Sequence, residues 1–279
     1  LDRLKKSAMD VAVVIAIILT FLLGLISALL VGAVFGITFY TLLYHRMIAS
    51  YRQGYKERVF AEMINEMGNQ YSYTVDGQIS DEVMRSSGLF FGFNKKQCED
   101  LIAGKFDRYE FQMAEIKLFN ELKSERVDRG GGLQYIFKGL FFAGTIPMSF
   151  PTKVWILSKN HPWTYGEDRV QSHWQKIELK HLAFRKEYLA YAEDKEIAYR
   201  ILPDDMLDVI LKAREQVVDD KMRLELSFQG NKVFLSISTM KELFEPPVKK
   251  SLLDKEDFKA NFKYLVNTTG LLQQLSLIH

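Results

Sequence analysis

"AMDVAVVIAIILTFLLGLISALLVGAVFG", residues 8–36, carries a small residue at every fourth position: Ala8, Ala12, Ala16, Thr20, Gly24, Ala28, Gly32 and Gly36. It lies within a stretch, Val11 to Tyr44, that contains no charged residue. An apolar run of that length is enough to cross a bilayer. It is also far longer than the apolar core of a cleaved secretory signal, roughly 7–15 residues. The run reads as an anchor, and whether it is one helix or two decides where the rest of the chain lies.

As one straight helix the uncharged run would span about 51 Å at 1.5 Å per residue, against a hydrocarbon core about 30 Å thick. A split near Gly24–Ser27 gives two short arms that fit with local thinning. Basic residues flank the run on both sides: Arg3, Lys5 and Lys6 before it, Arg46, Arg52, Lys56 and Arg58 after it. Positive flanks stay cytoplasmic, and only an even number of crossings places both there. The small-residue row would wind around a single rod, whereas in two arms Ala12, Ala16, Gly24, Ala28, Gly32 and Gly36 face one another and let the backbones approach. The expectation is a transmembrane helical hairpin over residues 1–45, multi-pass, with a cytoplasmic body.

Residues 46–70 then read as an amphipathic juxtamembrane helix, with Ile48, Tyr51, Tyr55, Val59, Met63 and Met67 on one face and Gly68-Asn69 as its stop. Arg46, Arg52, Lys56 and Arg58 are placed to lie against anionic headgroups, making membrane lipid an expected partner.

Residues 71–279 read as an α+β domain, an antiparallel sheet with flanking helices. Asp76-Gly77 marks a turn, and Ser80 caps a short helix. "NKKQCEDLIAG" resembles a brief helix ending at Gly104. In "DRYEFQM", Tyr109, Phe111 and Met113 alternate as in a strand, while Ile116 and Leu118 fall out of phase and predict a bulge near Ala114. "SERVDRGGG" is a charged loop. "LQYIFKGLFFAGTI", "TKVWILS" and "QKIELKH" read as three strands, the first broken at Gly139, with a polar excursion between the last two. Pro203 opens a helix whose acidic start suits the helix dipole. "MRLELSF" and "KVFLSIS" flank Gly230-Asn231 as a hairpin, and residues 254–277 close the chain as a helix.

The chemistry is sparse. With a net charge of +2, the chain gives no reason to expect a nucleic-acid partner. Cys98 is the only cysteine, which excludes an intrachain disulfide. The chain opens at Leu1 rather than Met, which leaves room for a preceding segment. The five histidines never fall at H-x-x-x-H spacing, so no zinc site is expected. The three glycines at 130–132 precede no G-K-[ST], and no G-x-S-x-G element occurs. Asp204, Asp205 and Asp208 sit where a helix start favours negative charge, and Glu193, Asp194 and Glu196 read as a solvated turn. No catalytic residue, cofactor or metal is expected.

Several stretches, read in order, resemble the bacterial DUF3137 family of membrane proteins. "YSYTVDGQIS" leads to "SSGLF"; "CEDLIAGKFDRYEFQMAEIKL" is similar to the family's E-D-x-I-x-G stretch before a strand. "YIFKGLFFAGTI" resembles its F-x-G-L-F-F segment, here Phe137, Gly139, Leu140, Phe141 and Phe142. "FRKEYLAYAEDKEIAYRILPDDMLDVIL" resembles the segment carrying Arg200 and Pro203, with Ile197 where the family has an acidic residue. "LFEPPVKKSLLD", with Phe244 and Pro246, resembles the closing motif. The resemblance implies two transmembrane segments in the bacterial inner membrane and no established catalytic residues. It also implies a protein partner, a LemA-like membrane protein, beside the option of a homo-oligomer. On the residues themselves Gly139 reads as a close-packing position, the phenylalanines as core and Arg200 as a turn anchor. The expected function is a non-enzymatic membrane-anchored scaffold or protein-interaction module. The alternative is a lipid-handling domain with an apolar pocket near "YIFKGLFF".

Overall fold

The computed structural model describes residues 2–68, 70–106, 109–121, 133–159, 171–217, 222–246, 265–271 and 274. The expected loop at 124–132, most of the polar excursion at 159–174, Asn69, His161 and most of the 254–277 helix lie outside them. The described chain forms two compact units, residues 1–53 and 54–279.

The first unit is one helix, α1, Asp2–Gly54. This corrects the expected hairpin and the multi-pass topology: the helix runs unbroken through Gly24–Ser27. The reason is local. A turn there would expose the orphan N–H and C=O groups of two helix ends in a medium that cannot solvate them, and the stretch has no Pro, Asn or Asp to shape a turn. Its few polar side chains bond back to their own helix instead. Thr20 Oγ1 donates to Ala16 O and Ser27 Oγ to Gly24 O, both at 2.8 Å. The described residues contain one helix long and apolar enough to cross a membrane.

The second unit begins with a π-helical segment, Tyr55–Phe60, followed by α2, Ala61–Glu66. The wider i→i+5 turn shifts the buried face by one residue. Phe60, Met63 and Ile64 are buried, and Val59, an expected face residue, is exposed.

Among the described residues, seven strands form one antiparallel sheet. They are β1 (Tyr71–Thr74), β2 (Lys95–Phe106), β3 (Tyr109–Glu121), β4 (Leu133–Ser158), β5 (Gln175–Ile177), β6 (Tyr188–Ala192) and β7 (Arg223–Ser238). Their order is β1-β2-β3-β4-β6-β5, with β7 also paired to β4. β4 organises the sheet. Its first half pairs with β3 up to Thr145, its last residues pair with β6 from Val154, and β7 lies along both halves. The expected strands "LQYIFKGLFFAGTI" and "TKVWILS" are therefore one strand. Pro147 and Pro151 fall between Thr145 and Val154, where the ladder with β7 is interrupted, so the missing proline N–H groups cost no ladder bonds there.

β7 corrects the expected hairpin. Its two halves do not fold on each other; both run antiparallel to β4, from Ile156↔Leu226 to Gly139↔Ser238. Gly230, at φ +57°, bends the strand opposite the β4 prolines instead of reversing it. "NKKQCEDLIAG" is likewise not a helix but most of β2.

Both faces of the sheet are covered, which explains the phase of β3. Met113 belongs to one core and Ala114, Ile116 and Leu118 to the other, so the alternation in β3 is unbroken. The irregularity at Ala114 is real, but the extra residue is in β2, between the pairs Glu99↔Glu115 and Ile102↔Met113. The first core collects α2, α4 (Leu182–Glu187), α5 (Lys195–Ile201) and α6 (Asp204–Val217), together with Leu265 and Leu271 from a helical stretch at 265–271. The second lies under α3, Asp81–Ser86, whose N-cap Ser80 accepts from the Val83 N–H as expected. There Trp155 and Trp174 stack with centroids 3.8 Å apart.

Candidate functional site

The β2 bulge turns Asp100 inward. A bulged residue re-aims its side chain, and aspartate tolerates the left-handed backbone that Asp100 adopts at φ +58°. Its carboxylate is fully buried. One oxygen accepts from the Tyr73 hydroxyl and the other from Lys56 Nζ at 2.6 Å. Lys56, 4% exposed in the π-helical segment, also reaches Glu99 at 3.1 Å and Glu245 at 2.9 Å. One ammonium thus serves three carboxylates from two elements. This corrects the membrane-surface assignment of Lys56: its charge is turned into the sheet domain. Arg46 and Arg58 are exposed and Arg52 is half-buried.

A second cluster adjoins through Glu99. Glu115 faces Glu99 across the β2–β3 ladder. Glu242, on the segment 239–246 after β7, receives Lys138 Nζ at 2.8 Å and Lys117 Nζ at 3.0 Å. Lys138 also donates to Met240 O at 3.0 Å. Glu115 Oε2 accepts the Leu243 N–H at 2.9 Å. Phe244 follows at φ +58°, buried and in contact with the Phe60 ring, centroids 5.2 Å apart. Ionic and backbone contacts together strap 239–246 to the sheet.

Burial sets the protonation of these groups, and the partners decide its sign. Asp100 is pushed up to about 6: burial raises it, and Lys56 and Tyr73 only partly offset that. Burial pulls the Lys56 ammonium down, but Asp100 and Glu245 outweigh it and hold it above the usual lysine range. Tyr73 is raised by burial and then by the Asp100 charge. Burial, then the Glu242 charge, drives Glu115 up to about 9. Glu242 goes the other way, to about 2, because hydrogen bonds from Lys138 and Lys117 overcome its burial.

Carboxylate oxygens of Glu99, Glu115 and Glu242 lie within 4.8 Å of one another, close enough to converge on a cation. The lysine ammoniums already fill that role, since Glu242 holds two of them and Glu99 holds Lys56. The donor set does not favour a metal.

The expected site residues are dispersed. Ala12, Ala16, Gly24, Ala28, Gly32 and Gly36 are exposed along α1, and a Cβ added at Gly24, Gly32 or Gly36 meets nothing within 4 Å. Phe137, Leu140, Phe141 and Phe142 are buried, filling core as their motif suggests. Gly139, at φ +147°, is more tightly constrained: an added Cβ would lie 2.0 Å from Ile237 O. Phe244 and Pro246 are buried in the strap. Pro203 accepts from the Met206 and Leu207 N–H groups at the α6 start. Arg200 is exposed and anchors no turn through the described residues. Asp194, expected in a solvated turn, is the N-cap of α5. His181 Nδ1 accepts from the Phe184 N–H, and its Nε2 lies 3.0 Å from Asp208, so that histidine and that aspartate are structural.

The residues missed were Tyr73, Glu115, Lys117, Lys138, Glu242 and Glu245. Glu99 and Asp100 were visible as the E-D of "CEDLIAG", without a role. Elsewhere, an open groove of about 450 Å³ lies on the sheet face beside α3, floored by Ser72, Ala103, Gln112 and Ala143 and edged by Lys105 and Lys232. None of the buried charged groups lines it.

A family model described as "Protein of unknown function (DUF3137)" matches residues 135–277. No curated protein matches the chain. Among solved structures, the crystal structure of the mycobacterial trehalose monomycolate transport factor A, TtfA, aligns with 79% of this chain and 94% of its own. It does so at 10% identity and a TM-score of 0.43, too low to carry fold or function across.

Proposed function

The chain belongs to the DUF3137 family of proteins of unknown function, and from that premise we propose that it is a non-enzymatic, membrane-anchored interaction module. In this reading α1 crosses the bacterial inner membrane once, and the sheet domain works in the cytoplasm. The observation that carries the proposal is that the acidic and basic groups best suited to acid–base work are consumed internally. Asp100, Glu115, Lys56 and Lys138 are all buried, bound to one another or to the strap, and none of them lines the open groove. Such a network organises a fold and leaves the surface for binding. Tyr40 and Tyr44, stacked with centroids 6.2 Å apart near the end of the uncharged run, suit the interfacial belt where aromatic rings collect. With the buried Lys56 set aside, three basic residues follow the run and three precede it, so the cytoplasmic side is the part of this proposal that the labelling experiment below decides.

The lipid-handling alternative has less support, because Phe137, Phe141 and Phe142 fill core among the described residues. Copurification of the full chain from native membranes, with mass spectrometry of bound proteins and lipids, tests the proposal. A stoichiometric protein, a LemA-like membrane protein or a second copy, is the expected result. A retained stoichiometric lipid, or a nucleotide that raises the melting temperature, would overturn it. Cysteines at residues 3 and 52 in a Cys98-free background should label from opposite sides; labelling from one side would overturn the single crossing.

A further inference from the structure

Glu115 has an unusual position within the charge network. Its side chain is 1% exposed, Oε2 accepts the Leu243 N–H, and Oε1 is buried with no donor from the described residues. A buried acceptor without a donor is costly. The group beside it is another carboxylate, Glu242, fixed in place by Lys117 and Lys138.

We propose that Glu115 and Glu242 share one proton, and that this proton is a latch holding segment 239–246 on the sheet. With Glu115 neutral, its hydroxyl supplies the missing hydrogen bond to Glu242, and its other oxygen keeps the Leu243 N–H. Once the proton leaves, two carboxylates face each other with Glu99 alongside, and like charges at that spacing repel strongly in a buried site. The strap is the element able to give way, since Glu115 and Glu99 are fixed in the β2–β3 ladder. The groups facing Glu115 are known from each neighbouring element: Glu99 on β2, Lys117 on β3, Lys138 on β4, and Glu242 with the Leu243 N–H on the strap. Lys56, Asp100, Tyr73 and Glu245 form the next ring.

The direction follows from linkage. Glu115 is raised to about 9 from an ordinary 4.5, so the folded state holds a proton that the unfolded chain has lost. Stability from the latch is therefore greatest at low pH and declines as pH rises through that window. Glu242, lowered to about 2, does not titrate there.

The test uses the full chain in detergent. Between pH 7 and 8.5 the wild-type melting temperature should fall by about 3 °C per pH unit from this group alone, levelling off above about 9. Over the same range, trypsin cleavage after the exposed Lys241 should rise relative to a control site. Glu115→Gln, whose amide also donates to Glu242, should flatten both curves. Cys98, raised by burial, is intact in both proteins and cancels in the comparison. If Glu115→Gln fails to fold, carboxyl shifts of ¹³C-glutamate in the wild type still decide: one carboxyl protonated at pH 7.5 supports the latch. Identical pH curves for wild type and variant, no protonated carboxyl at pH 7.5, or a melting temperature raised by Mn²⁺ or Ca²⁺ at pH 8 would overturn it.

Discussion

Glycine means opposite things in the two units of this molecule. In α1, an added Cβ at Gly24, Gly32 or Gly36 meets open space; in the sheet domain, one at Gly139 would lie 2.0 Å from a backbone oxygen of β7. The α1 glycines are compatible with any side chain their surroundings accept. Gly139 is dictated by its neighbours, because β4 and β7 approach so closely that only a hydrogen fits, at a φ that side chains rarely adopt. The same contrast holds for charge. The arginines 46 and 58 after the apolar run are exposed, whereas Lys56, in the same basic cluster by sequence, is buried against three carboxylates. Composition sets the character of the first unit, and mutual contact sets that of the second.

The sharpest way to break this comparison is Gly139→Ala. Strain and overpacking together should cost roughly 4 kcal/mol, read as a large fall in the denaturant midpoint of the sheet domain. A near-neutral result would mean that β7 lies farther from β4 than described. Next comes Lys56→Met, which keeps the apolar stem but strands Asp100 and Glu245. Breaking a buried pair should cost about 3 kcal/mol at pH 7. Asp100 can then take up a proton instead, so the loss should shrink at pH 5. An equal loss at both values would show that packing, not charge, is the role of Lys56. Asp194→Ala removes the acceptor of two α5 N–H groups and should cost about 1 kcal/mol. Gly32→Leu and Gly36→Leu should leave the melting of the sheet domain unchanged. A change in the size of the membrane-extracted assembly would show that the small-residue row meets a second chain.

Much of the domain was legible along the chain. The uncharged run, the Ser80 cap, the Pro203 helix and the buried phenylalanines of "YIFKGLFF" rest on local composition and short-range bonding, which a sequence displays directly. The failures share a cause. "MRLELSF-QG-NKVFLSIS" looks like a hairpin because Gly-Asn turns commonly reverse a strand, but β4 is long enough to pair with both halves. "NKKQCEDLIAG" has helical spacing, yet its backbone bonds go to β1 and β3.

The network of Lys56, Asp100, Glu115 and Glu242 shows the division most clearly. Glu115 and Glu242 are 127 positions apart and look like ordinary solvated acids in the sequence, as Lys56 looks like a headgroup contact. Sequence by itself determined that the chain carries an apolar helix and an α+β domain, because hydrophobic periodicity and helix capping act over a few residues. Only the tertiary structure decided which strands pair and which charges are buried together. Those outcomes depend on the cost of desolvating a group, and that cost exists only once distant segments have closed over it.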